Sequence, residues 1–119
     1  MNENAKRWVK TLKNTHVKQS RSRLGGPEGY CCLGVGCLVY EKETGEKLPR
    51  NDDGNFYGGS LDGDYYVVAN WLGLSHCYGS FSDEKGNSAT LTDLNDIKEF
   101  TFSEIASVIE NEPNGLFID

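Results

Sequence analysis

The sequence predicts an α+β fold, a compact single domain in which three to four short helices pack on a small antiparallel sheet or hairpin. Three observations predict it. A chain of 119 residues supplies one hydrophobic core and not two. Glycine is abundant, at 14 residues, while apolar residues make up only 37%, which favours short elements joined by turns over a long-helix bundle. Helical periodicity also comes in separated blocks, with a turn-rich polar stretch between two of them.

The first block is Ala5, Trp8, Val9 and Leu12, one apolar stripe at i, i+3, i+4, i+7. It predicts a helix over residues 3–14, capped by Asn2 or Asn4. Residues 16–24 are too polar for a core helix, and their alternating charge predicts a short edge strand ended by Gly25-Gly26-Pro27. The run from Gly29 to Tyr40 holds three of the four cysteines and is apolar enough to demand burial. It predicts a helix over 31–43 stopped by Gly45. Gly34 and Gly36 weaken that helix by about 1 kcal/mol each relative to alanine, and permit close contact with a neighbouring backbone.

Residues 48–64 read as the longest loop, carrying Pro49, Asn51-Asp52-Asp53-Gly54-Asn55 and Gly58-Gly59. Asp64 is placed to cap a helix over 65–72, with Val68, Trp71 and Leu72 inward and Gly73 as its terminator. Asp83-Glu84-Lys85-Gly86-Asn87 predicts a hairpin turn within residues 78–90. A single helical turn follows over 90–95. Thr101-Phe102-Ser103-Glu104 fits a capping box, opening a last helix with Phe102, Ile105 and Ile109 inward and Pro113 beyond its end.

Charge is partitioned along the chain. Residues 1–24 hold seven bases and one acid, and residues 25–119 hold five bases and 17 acids. The basic head is expected to fold back on the acidic body. A net charge of −6 works against general nucleic-acid binding. No apolar run reaches the roughly 18 residues of a membrane span, so no membrane partner is expected. The polar N-terminus lacks a signal-peptide core, which points to a cytoplasmic protein with reduced thiols.

Cys31 or Cys32 at a helix N-terminus would have its thiolate stabilised, the setting of a cysteine nucleophile. A base is needed, and His16 and His76 are the only histidines; neither is followed by an orienting residue. No catalytic residue is therefore assigned. Cys-x-x-Cys spacing is absent, and the Asp-rich loops miss the calcium-loop pattern, so no metal or other cofactor is assigned either. The acidic, aromatic loop offers a protein-binding patch of Asp52, Asp53, Phe56, Tyr57, Asp62, Asp64 and Tyr65. The alternative ligand is a nucleotide, with Lys18, Arg21 and Arg23 on its phosphates and an aromatic ring under its base.

Several segments together resemble a family of short proteins encoded by bacteriophages and prophages. They are Trp8-x-x-x-Leu12 leading to Gln19; Gly29-Tyr30-Cys31-Cys32-Leu33-Gly34-Val35; Trp71-Leu72-Gly73-Leu74; Leu91-Thr92-x-Leu94-Asn95-Asp96; and Phe102-x-Glu104-Ile105-Ala106-x-x-Ile109-Glu110. Their order agrees over most of the chain. Gly36 departs from the pattern, where bulkier residues are usual. The resemblance implies phage origin but brings no activity, so no site residue is carried over. By analogy it implies a host bacterial protein as partner, bound stoichiometrically to block host defence; a nucleotide sponge and a small cysteine hydrolase are the alternatives.

Overall fold

Asn2 starts the first element in the computed structural model, which describes residues 1–21, 24–56 and 64–118, without the side chains of residues 64–66. Its side-chain oxygen accepts the Ala5 N–H at 2.8 Å and opens helix α1, Glu3–Asn14. The predicted stripe of Ala5, Trp8, Val9 and Leu12 is buried. Helix α2, Cys32–Thr44, is the hub, packed against α1 and against α3, Asp64–Leu72, and α4, Leu91–Asp96. Helix α5, Phe102–Glu110, lies on α1 and α4. The Trp8 indole N–H donates to the Cys32 carbonyl at 2.9 Å, joining α1 to α2 with a satisfied polar contact in the core.

Two small antiparallel sheets complete the α+β arrangement. Strands β1, Gly25–Gly26, and β2, Gly29–Tyr30, form a tight hairpin around Pro27 and Glu28. Strands β3, Ser80–Ser82, and β4, Ser88–Thr90, pair around the Asp83 turn, whose carboxylate accepts the Lys85 and Asn87 N–H groups. The capping box holds at both ends: Glu104 N–H reaches Thr101 Oγ1 at 3.2 Å, and Thr101 N–H reaches Glu104 Oε1 at 2.9 Å.

Helix ends follow the local signals closely. Helix α2 stops at Gly45, which takes φ +76°, and α3 is followed by Gly73 at φ +79°. Asp64 is the first residue of α3, one position inside the expected cap. The described helices number five, one more than the upper expectation. The larger difference lies at residues 16–24. The described residues of that stretch, 16–21 and 24, form no regular strand; among them Gln19 makes a parallel bridge to Tyr30. The sheet density sits at Gly25–Tyr30, where the sequence signalled only termination. Paired glycines look like a breaker locally, but here they let two backbones and a neighbouring turn come close. The basic head folds back as expected, with Arg7 on Glu43 at 3.7 Å and Lys13 on Glu110 at 2.5 Å. Among the described residues no helix is long and apolar enough to cross a membrane.

Candidate functional site

The thiols come first, because they carry the most reactive chemistry in the chain. Cys31 caps α2, its Sγ accepting the Gly34 N–H at 3.4 Å, and is 6% exposed. Cys32 and Cys37 are fully buried. Burial pushes the Cys31 thiol up to about 11, overriding the backbone N–H groups that lower it. Burial raises Cys32 as well. At the N-terminus of α2, burial thus outweighs the N–H groups and favours the protonated thiol. No group of three or more His, Cys, Asp or Glu is placed to hold a metal among the described residues.

These thiols couple stability to alkaline pH. An unfolded thiol ionises near 9.0 while folded Cys31 keeps its proton to about 11, so the native state binds more protons between those values. Stability is expected to hold below pH 9 and to fall as pH rises through that window, at up to about 1.4 kcal/mol per pH unit for each such thiol. Urea denaturation followed from neutral pH to pH 11 checks this. Cys31→Ser should fold, with its hydroxyl as the cap, and show a shallower decline; an unchanged slope would refute the assignment.

The exposed chemistry gathers elsewhere, where three segments are drawn together by backbone contacts. Ser20 N–H donates to the Tyr30 carbonyl and Tyr30 N–H to the Lys18 carbonyl, both at 2.8 Å. On the far side of the β1–β2 hairpin, Phe56 N–H donates to the Gly25 carbonyl at 2.9 Å. The 51–55 turn is closed by Asn51, whose side-chain oxygen accepts from Asp53 and Asn55 N–H. Gly26 admits this turn: a Cβ there would lie 2.3 Å from Asn55 Oδ1.

Between these segments lies a cleft of about 770 Å³, lined by Lys18, Ser20, Arg21, Glu28, Gly29 and Asn55 among others. A second, of about 290 Å³, is lined by Pro27, Glu28, Asp53 and Asn55 and so shares a wall with the first. Gly29, at φ +142°, lets β2 run close against residues 18–20, since a Cβ there would lie 3.0 Å from the Lys18 carbonyl oxygen and 3.1 Å from Ser20 Cβ.

The wall carrying Lys18 and Arg21 is anchored from below. Asn95 is fully buried, and its side chain makes four hydrogen bonds. Its oxygen accepts from Gln19 Nε2 at 2.8 Å and Cys32 N–H at 3.2 Å; its nitrogen donates to the Ser20 carbonyl and to Asp96 Oδ1, both at 2.8 Å. Gln19 Nε2 also reaches the Phe100 carbonyl at 2.8 Å. The turn carrying Asp52 and Asp53 is anchored by Arg50, which makes a two-pronged pair with Glu41 at 2.7 and 2.9 Å and lies 4.2 Å over the Phe56 ring. Burial raises the Glu41 carboxyl, but hydrogen bonds from Arg50 and the Leu48 N–H outweigh it and hold the carboxyl below the usual range.

The structure therefore brings Arg21 and Asp53, read separately from the sequence, to two adjoining clefts, with Asp52 exposed in the same turn. Phe56 is corrected: it is 5% exposed, packed on Tyr30 beneath the turn, and belongs to the core instead of an outer patch. Tyr57, Asp62 and Arg23 lie outside the described residues, as do the side chains of Asp64 and Tyr65. Sequence reasoning missed Ser20, Glu28 and Asn55 as lining groups and Asn95 as their anchor.

A family model described as a domain of unknown function, DUF8296, matches residues 1–113. No curated protein and no solved structure matches the chain.

Proposed function

We propose, from the premise that the chain belongs to the DUF8296 family, that it is a phage-encoded accessory protein acting without catalysis in the host cytoplasm. It works by stoichiometric capture of a host bacterial protein, in the class of antiviral defence effectors. One observation carries the reading. Lys18, Arg21, Glu28, Asp52 and Asp53 are all exposed around the two clefts, and none has an ion-pair partner among the described residues. Several cations of α1, by contrast, are neutralised by acids of the same chain. Unpaired charges of both signs on a rigid, concave surface suit a protein partner, whose own charges set register and exclude wrong partners.

The test is capture from host lysate with quantitative mass spectrometry. Asp52→Lys with Asp53→Lys should melt at the parent temperature yet recover the specific host protein about tenfold less. Equal recovery by parent and variant would overturn the reading. The nucleotide alternative is favoured by Lys18 and Arg21 lining a nucleotide-sized cleft. It ranks second because no aromatic side chain lines that cleft among the described residues. Calorimetric heat with a cyclic dinucleotide or ADP-ribose, lost in Lys18→Gln with Arg21→Gln, would put it first.

A further inference from the structure

We propose that residues 18–21 form a docking edge to which the captured protein adds an extended, acidic segment as a strand. The inference rests on the protein-binding reading above and names the chemistry of the contact.

It follows from where the backbone groups of this stretch go. In the parallel bridge between Gln19 and Tyr30, the Lys18 carbonyl and the Ser20 N–H are used on Tyr30. Extended backbone alternates its hydrogen-bonding direction, so the N–H and carbonyl of Gln19 point away from β2. Neither has a partner among the described residues, and the Arg21 N–H has none. Three main-chain groups thus stand unpaired along one short edge, which is a template for another strand. The edge is rigid, because the Gln19 side chain is held by Asn95 and Phe100 and the Ser20 carbonyl by Asn95.

Charge selects the occupant. Lys18 and Arg21 flank the edge, both exposed and unpaired among the described residues. Two cations against the single carboxylate of Glu28 among the described lining residues leave the cleft net positive, which disfavours pairing with a second basic edge and favours an acidic strand. The open cleft beside Lys18, Ser20 and Arg21 leaves room for side chains of the added strand on that face. Carboxylates there meet the two cations, while the opposite face of residue 19 is committed to the interior.

The probe is a capped seven-residue peptide alternating glutamate and valine, with an alternating lysine and valine peptide as its counterpart. Amide NMR of the full chain follows chemical shifts and hydrogen exchange. In the free protein the Gln19 amide should exchange quickly and the Ser20 and Tyr30 amides slowly. The glutamate peptide should shift Gln19 and Arg21 saturably and slow their exchange at least about fivefold, and the lysine peptide should not. Lys18→Glu with Arg21→Glu alters only exposed groups and should invert the preference, binding the lysine peptide instead. Absence of shifts at Gln19 with millimolar glutamate peptide, or equal binding of both peptides, would overturn the docking edge. If the parent protein still captured a host protein under that result, the edge alone would fall and the capture reading would stand.

Discussion

Asn95→Leu is expected to destabilise the protein by about 2–6 kcal/mol, since leucine fills the same space and leaves the Cys32 N–H and the Ser20 carbonyl buried without partners at about 1–3 kcal/mol each. Against a total stability of about 5–15 kcal/mol for a domain of this kind, the variant is left marginal. Urea denaturation should show the midpoint falling steeply. Asn95→Asp separates the hydrogen-bonding cost from shape. It keeps an acceptor for Cys32 N–H, loses the donor to the Ser20 carbonyl and buries an anion beside Asp96. Its deficit should therefore be largest at neutral pH and shrink as the pH falls and the introduced carboxyl takes up a proton. If Asn95→Leu unfolded at the parent midpoint, the four hydrogen bonds would contribute nothing net to stability.

The second large effect contrasts two glycines of one helix. At Gly34 an added Cβ would lie 1.8 Å from the Leu24 carbonyl oxygen and 2.8 Å from its carbon. That carbonyl also accepts the Cys31 N–H at 3.2 Å, so neither backbone can withdraw without breaking the start of α2. Gly34→Ala is expected to cost more than about 3 kcal/mol, or to prevent folding. At Gly36 an added Cβ meets Leu72 Cδ1 at 3.1 Å and Trp8 Nε1 at 3.4 Å. The leucine methyl is the end of a flexible side chain and can give way. Alanine meanwhile gains about 1 kcal/mol of helix propensity. Gly36→Ala should melt at or above the parent temperature. Equal melting temperatures for the two variants would show that the Leu24 contact does not constrain the helix.

Much of this was legible in the sequence, and the reason is local. Helices α1 and α5 each carry an apolar stripe, α2 begins as an apolar run buried on all sides, and Asn2, Gly45 and the Thr101–Glu104 pair mark boundaries without reference to the rest of the chain. The Asp83 turn likewise announces its hairpin. Reading Gly34 as a site of close backbone approach was correct, although the sequence cannot say that Leu24 is what approaches. The candidate site was only half legible. Arg21 and Asp53 stood out as charges, but their meeting depends on a hairpin made almost wholly of glycine, which has no periodicity to read. Phe56 looked like an outer aromatic because it follows an acidic turn; its burial comes from Arg50 and Tyr30, and neither contact has a sequence signature. Asn95 lies 76 residues from Gln19, in a six-residue helix with no pattern that separates a buried amide from a solvated one.

That long-range amide contact also decides what kind of recognition element residues 18–21 can be. A flexible tail loses conformational freedom when it meets its target, and its affinity falls accordingly. Here the freezing of the chain happens once, during folding, and the same stretch transplanted as a free peptide would lose its shape together with its grip. Whatever associates with this surface encounters a preorganised mould, so tightness is governed by how slowly the complex comes apart.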